Sequence, residues 1–346
     1  MIFLDTTRTA AAGHRSGLTR VGRRLFESLG ARATAVRWDA ARHSLAPAGP
    51  RPADWFFTSE LFSEPERPGF SAFLANRAGR TAALFHDAIP LRFPHTTWPQ
   101  SVARHPGYMK LLASFGRVWA VSRSSRDELT EFWRWQGVET PPSVDVLALG
   151  ADFDGAPRVR ERPVPGGVPR LLCLGILEPR KNQDFLGDVC EELWGEGLAF
   201  ELHVVGRTNP HFGAPIRARL ERLRRARPGK MHLHDAADDA TVAALFASAR
   251  ATVFPTRAEG CGLPLLESLW RGVPCVCSDL PVLRENADAG GCLVAATNDR
   301  AAWREAIAAL VTDAALAGRL GAAAMARPLP SWAEAAETLA TALRAE

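Results

Sequence analysis

Short apolar runs alternate with amphipathic stretches along the whole chain. Residues 2–5, 34–38, 55–58, 82–86, 118–122 and 144–149 read as strands, being apolar, short and bounded by polar or turn residues. Between them, 18–29 and 124–135 carry apolar positions at helical spacing. The second of these opens with Ser124-Ser-Arg-Asp-Glu128, a serine cap followed by acids in the first turn. The alternation stops at 150–169, where Gly150-Ala-Asp-Phe-Asp-Gly-Ala-Pro157 and Pro163-Val-Pro-Gly-Gly-Val-Pro169 read as a linker. It then restarts, with strands at 171–174, 201–205, 231–234, 251–254 and 275–278. The helices of this half are expected at 183–193, 216–225, 239–249 and 265–271, with Asp238 and Asp239 as a cap. A capping box, Ser331-Trp-Ala-Glu334, begins a last helix that runs to the end.

Strand–helix alternation of this kind builds parallel sheets covered on both faces. A chain of 346 residues also exceeds what one core supports, so two doubly wound domains are expected. The boundaries expected are 1–155 and 156–328, followed by a terminal helix, 329–346, that returns to the first domain. Ligands of such sheets bind at the carboxyl ends of the strands, and the cleft between two facing domains is the expected site.

Composition narrows the function classes. Apolar residues make up 47% of the chain and charged ones 23%, ordinary for a globular protein. The net charge of +4 gives no case for a nucleic-acid partner. No apolar run approaches the ~18 residues of a membrane span, and Met1-Ile-Phe-Leu-Asp5 turns polar too soon for a signal peptide. A cytoplasmic location is expected, with peripheral contact at the inner face of the membrane as an extension of it. Cysteines 173, 190, 261, 275, 277 and 292 form no CxxC pair and read as buried thiols. Lys110, Lys181 and Lys230 are the only lysines among 42 Lys and Arg residues, which makes the position of each informative.

Two segments carry candidate chemistry. In Glu259-Gly-Cys-Gly-Leu-Pro-Leu-Leu-Glu267, a strand leads through two glycines into a helix whose free amides attract an anion. Pro264 suits the first helical position, and Glu267, one turn in, can reach paired hydroxyls. A plain helix start with two solvated glutamates is the alternative. In Gly175-Ile-Leu-Glu-Pro-Arg-Lys-Asn182, Arg180 and Lys181 sit where a helix begins, although cations normally avoid that end of the dipole. Two weaker signals lie in the first half. Gly13-His-Arg-Ser-Gly-Leu-Thr-Arg20 follows the first strand, and Gly17 there would let backbone approach a phosphate. Phe85-His-Asp-Ala-Ile-Pro90 leaves His86 and Asp87 at a strand's carboxyl end.

The Glu259–Glu267 segment and its flanks resemble the two-glutamate motif of the family-4 retaining glycosyltransferases, which have the GT-B fold of two facing Rossmann-like domains. The resemblance implies that Glu267 holds the nucleotide ribose. It implies that Glu259, with the amides of Cys261, Gly262 and Leu263, holds the donor sugar. Cys261 stands where the family usually has an aromatic residue or serine. Arg180 and Lys181 match the pair that binds the diphosphate and stabilises it as it leaves. Gly17 matches a glycine-rich turn, and His86 a histidine facing the donor sugar. His232 and His234 fall near the family's base pocket, and the terminal helix with Trp332 braces the first domain. Asp152-Phe-Asp154 mimics a metal-binding Asp-x-Asp but lies in the linker, so no metal and no cofactor is expected.

The activity implied is metal-independent, retaining transfer of a hexose from GDP-mannose or another nucleotide-diphosphate sugar. The acceptor is expected to be a saccharide or a lipid-linked molecule of a polysaccharide or glycoconjugate pathway. Arg104, His105, Tyr108, Lys110, Trp133 and Trp135 are either its binding surface or a solvated helical face with aromatic core contacts. An epimerase of the same fold and a non-catalytic sugar-nucleotide-binding subunit remain as alternatives. A phosphorylase does not, since no lysine follows Lys230 to hold pyridoxal phosphate.

Overall fold

The computed structural model describes residues 1–11, 17–76, 79–153, 155–235 and 237–344. They form two compact units, Met1–Gly150 with Pro330–Glu346, and Ala151–Leu329.

In unit 1 the strands are β1 Ile2–Asp5, β2 Ala33–Asp39, β3 Ser44–Ala46, β4 Trp55–Thr58, β5 Arg80–Phe85, β6 Arg117–Ala120 and β7 Val144–Val146. They pair in the order β3-β2-β1-β4-β5-β6-β7, parallel except for the β2–β3 pair. The helices are α1 Gly17–Leu29, α2 Phe70–Ala75, α3 Ile89–Arg92, α4 Pro99–Leu112 and α5 Arg123–Trp135. Strand β4, Trp-Phe-Phe-Thr, is buried at every position because helices cover both faces of a parallel sheet. Its Phe56 joins an aromatic core in which Phe70 meets Trp38 and Phe62 edge-on, at centroid separations of 5.0 and 4.8 Å.

Helix α5 begins one residue earlier than the sequence suggested, and its cap is Ser122, whose hydroxyl accepts from the Ser125 amide at 3.0 Å. Ser124 and Ser125 lie inside the first turn, and the Ser125 hydroxyl donates to the His86 carbonyl at 2.8 Å. His105, Tyr108 and Trp133 are core residues, whereas Trp135 is 78% exposed. The terminal helix, Trp332–Arg344, belongs to this unit, where Trp332 is buried and the reciprocal Ser331–Glu334 capping box closes the amino end.

Unit 2 contains β8 Arg170–Leu174, β9 Glu201–Val205, β10 Met231–His234, β11 Ala251–Phe254, β12 Cys275–Ser278 and β13 Cys292–Ala295. All are parallel, in the order β10-β9-β8-β11-β12-β13. Its helices are α6 Gln183–Gly195, α7 Gly213–Ala226, α8 Asp239–Ser248, α9 Leu263–Trp270, α10 Pro281–Ala287, α11 Arg300–Thr312 and α12 Ala314–Ala326. One sheet face packs Leu171, Leu202 and Val253 against Leu186, Leu220 and Trp303. The other packs Leu172 and Val205 against Val242 and Phe246 of α8, and Cys275 and Cys277 against Leu265, Leu269 and Leu283. Burying each such aliphatic side chain contributes about 1.5–3 kcal/mol. Asp238 caps α8, accepting from the Thr241 amide at 2.7 Å. Among the described residues no single helix is long and apolar enough to cross a membrane.

Candidate active site

The two motif segments of unit 2 meet at the carboxyl ends of β8 and β11. After β8 the chain makes a short turn of 3-10 helix, Pro179–Lys181, and Asn182 takes a left-handed φ of 60° before α6 starts. The Arg257 amide donates to the Arg180 carbonyl at 2.7 Å, tying this turn to the loop after β11. Side chains then converge on Glu259. Its Oε1 accepts from Lys181 Nζ at 2.6 Å, from the Thr256 hydroxyl at 2.7 Å and from Arg180 Nη1 at 3.3 Å. Arg180 Nε pairs with Glu178 Oε1 at 2.6 Å, and Asn209 Nδ2 donates to Glu178 Oε2 at 3.0 Å. Lys181 also lies over the Phe254 ring, 5.0 Å from its centroid.

Burial sets the electrostatics. It would raise the Glu259 carboxyl, but Lys181, Arg180 and Thr256 outweigh it and hold the group below the ordinary carboxylate range. Burial pulls the Lys181 ammonium below its usual value, against the opposing attraction of Glu259. The side chain of Lys181 is 9% exposed and that of Arg180 25%, so the guanidinium is the more accessible of the two cations. Burial also pushes the Cys261 thiol up to about 12, with the Glu259 carboxylate adding to the shift, so the thiol is favoured over the thiolate.

The glycines keep backbone close. A Cβ at Gly206, after β9, would sit 1.9 Å from the Gly175 carbonyl oxygen, so only glycine lets these two loops touch. Gly262 has a φ of 80°, and a Cβ there would reach within 2.5 Å of Leu283. Helix α9 begins at Leu263, with Pro264 in its first turn, and Glu267 is buried on it. Behind Glu267, the Ser268 hydroxyl is 2.6 Å from that of Thr252 and donates to the Val273 carbonyl at 2.8 Å.

In unit 1 the corresponding strand ends carry different chemistry. His86, buried just past β5, is bonded through Nε2 to the Ser59 carbonyl at 2.8 Å, and burial lowers its pKa. Asp87 accepts from the Ile89 amide at 3.0 Å, and its carbonyl takes His105 Nε2 at 2.9 Å. Beside them Arg67 bridges Asp5, at 2.5 Å, and Glu60. Glu60 accepts the amides of Arg8 and Thr9, each at 2.8 Å, and so anchors the loop after β1. Gly17 opens α1, but Gly13 to Ser16 of its turn, like Asp154 of the linker, lie outside the described residues. A cavity of about 780 Å³ lies between the segment before α2 and α4, with Glu64, Glu66, Arg104 and Lys110 among its walls.

The motifs therefore come together at Arg180, Lys181, Glu259 and the start of α9, while His86 and Gly17 belong to the other unit. Thr256, Glu178 and Asn209 are site residues that the motifs did not single out. Thr256 stands in the Phe-Pro-Thr flank and Glu178 inside the matched turn, but Asn209 offers no local signal.

Comparison with known proteins bears on the family and the fold. Residues 168–313 match the family described as "Glycosyl transferases group 1". An O-antigen chain mannosyltransferase B of Escherichia coli is 41% identical over 242 residues, 67% of this chain and 61% of that protein. A serotype-specific mannosyltransferase WbdA of Escherichia coli is 29% identical over 228 residues, 61% of this chain. The chain spans only 28% of the length of that relative. Sucrose-phosphate synthase from Thermosynechococcus elongatus shares the fold at a TM-score of 0.71 and 17% identity, covering 99% of this chain and 98% of its own. WaaG, a glycosyltransferase involved in lipopolysaccharide biosynthesis, does so at 0.66 and 15%, covering 98% and 99%. With its two parallel-sheet Rossmann-like domains of the GT-B fold, this chain belongs to the group 1 glycosyltransferases and is distantly homologous to mannosyltransferases.

Proposed function

We propose that the chain transfers mannose from GDP-mannose to a saccharide or lipid-linked acceptor of O-antigen-like polysaccharide synthesis, with retention of configuration and without a metal. The observation that carries this reading is the Glu259 carboxylate, gripped at one oxygen by Lys181, Thr256 and Arg180 beside the amino end of α9. The mannosyltransferase names of the relatives support the sugar.

In this reading the diphosphate binds Arg180, whose side chain is the more exposed of the two cations, and shares Lys181 with Glu259. Glu267 holds the ribose hydroxyls. Glu259 and the amides of Cys261, Gly262 and Leu263 hold the sugar. As the bond from the anomeric carbon to phosphate breaks, charge grows on the departing oxygen, and fixed cations and amides stabilise it. That oxygen takes the acceptor's hydroxyl proton while the acceptor oxygen bonds the anomeric carbon on the same face. The unit 1 cavity, walled by Glu64, Glu66, Arg104 and Lys110, suits a polyhydroxylated acceptor.

The test is turnover of GDP-mannose, GDP-fucose, UDP-glucose and dTDP-rhamnose with mannose-terminated oligosaccharides, magnesium and manganese omitted. The expected result is GDP release coupled to an α-mannosylated product. Interconversion of the sugar nucleotide without acceptor would make the protein an epimerase. Tight donor binding with neither outcome would make it a binding subunit.

A further inference from the structure

The edge of the unit 2 sheet carries a second cluster, apart from the one around Glu259. Strand β10 reads Met231-His-Leu-His234, and the two-residue period of a strand puts both imidazoles on one face. On β9, Glu201 and His203 share a face in the same way, and the parallel register sets His203 beside His232. The rings of His203 and His232 stack with centroids 4.4 Å apart, and those of His203 and His234 with centroids 5.3 Å apart. His203 Nε2 is 3.1 Å from Glu201 Oε2, and His232 Nε2 is 3.9 Å from the same oxygen. One ligand atom from each of Glu201, His203 and His232 lies within 4.8 Å of the other two. On its other side, His203 Nδ1 is 3.1 Å from His234 Nε2.

Zinc takes imidazole nitrogen and carboxylate oxygen at about 2.0–2.2 Å, so neighbouring ligand atoms of a tetrahedral site lie about 3.4 Å apart. The separations of 3.1 and 3.9 Å bracket that value. Imidazole-rich sets favour transition metals over magnesium or calcium, which prefer oxygen. We propose that Glu201, His203 and His232 bind a divalent transition metal of the zinc class. His234 is the positioning residue, accepting the His203 Nδ1 proton so that Nε2 faces the ion. Two stacked rings cannot both aim in-plane lone pairs at one ion. His232 must therefore swing out of its stack, and its side chain, 36% exposed, has room to do so. Arg170 Nε donates to Glu201 Oε2 at 2.9 Å, and a carboxylate has lone pairs enough for both partners. Glu201 opens β9, so the ion would sit towards the amino ends of the strands, whereas the donor loops leave carboxyl ends. Its effect is to staple edge strand β10 to β9.

The test uses the untagged full chain, stripped of metal and titrated with Zn²⁺ against a chromophoric chelator, with Co²⁺ as the spectroscopic probe. One equivalent should bind, Co²⁺ should show the intense visible absorption of a tetrahedral site, and Zn²⁺ should raise the melting temperature. His234→Gln should weaken binding about 10–100-fold, and His232→Gln or His203→Gln at least as much, whereas His95→Gln should change nothing. His232→Gln alters a partly exposed side chain and keeps the fold, so loss of binding in it is interpretable. Absence of stoichiometric binding, or binding that survives both His203→Gln and His232→Gln, overturns the proposal.

Discussion

Asp5, Glu60 and Arg67 in unit 1 and Glu178, Arg180, Lys181 and Glu259 in unit 2 occupy comparable places, at or beyond the carboxyl ends of parallel strands. Their surroundings differ. Arg67, Asp5 and Glu60 are 2%, 0% and 6% exposed, and Thr58 and the amides of residues 7 to 9 complete the bonding of both carboxylates. That network is closed on itself. In unit 2 there are two cations for two carboxylates, and the Arg180 side chain is 25% exposed. The first cluster holds a loop in place; the second keeps a partly exposed guanidinium and is the proposed seat of an anionic ligand.

The sharpest way to break this contrast is to remove the cation from each. Arg67→Met leaves two buried carboxylates without their shared partner, a loss that costs about 3–5 kcal/mol. Denaturant unfolding should show it, and amide exchange should place the loosening in unit 1, around the loop after β1. Restoring neutrality with Asp5→Asn and Glu60→Gln should recover part of the loss. If Arg67→Met unfolds no earlier than wild type, the unit 1 cluster is not the anchor described here.

Lys181→Ala should do the reverse. Glu259 keeps Arg180 and Thr256, so the fold holds, but in the proposed reaction the leaving diphosphate loses one of its cations. Removal of a comparable charge-stabilising donor lowers turnover about 10²–10³-fold. Steady-state rates with the productive donor and a thermal melt, measured on one preparation, check both halves. Unchanged donor affinity and turnover would remove the diphosphate from Lys181.

The contrast also explains what could be read along the chain. The unit 2 cluster comes from two contiguous segments, each a strand end followed by a glycine turn and a helix start, so its residues announce themselves locally. Its supports do not: Thr256 is an ordinary threonine until folding sets its hydroxyl 2.7 Å from Glu259. The unit 1 triad joins positions 5, 60 and 67, and no local pattern connects them. Strands buried on both faces were legible to the residue at Trp55–Thr58 and Ala251–Phe254. Strand β3, three residues in the antiparallel edge pair, has too few positions to show a period. Helix α4 contains Pro106, which removes a backbone donor and interrupts the apolar spacing. The His203–His232 pairing needs a register that only the sheet supplies.

The smallest effect separates the clusters by sign. In the folded protein Glu60 is raised, first by burial and then by the Asp5 carboxylate, against the pull of the loop amides and Arg67. Between its ordinary value of 4.5 and that raised value the native state holds more proton than the unfolded one. Its contribution is therefore complete at acid pH and is lost as pH rises through the folded value. Glu259 behaves oppositely. Its folded pKa lies below 4.5 because Lys181 and Arg180 outweigh burial, so its contribution is present above 4.5 and is lost as pH falls through the folded value. Denaturant midpoints measured across the acid-to-neutral range resolve the two terms. Glu60→Gln should flatten the loss on the rising side, and Glu259→Gln the loss on the acid side. Were both substitutions to flatten the same limb, the two clusters would be electrostatically alike, and the division into a closed anchor and an open ligand site would fail.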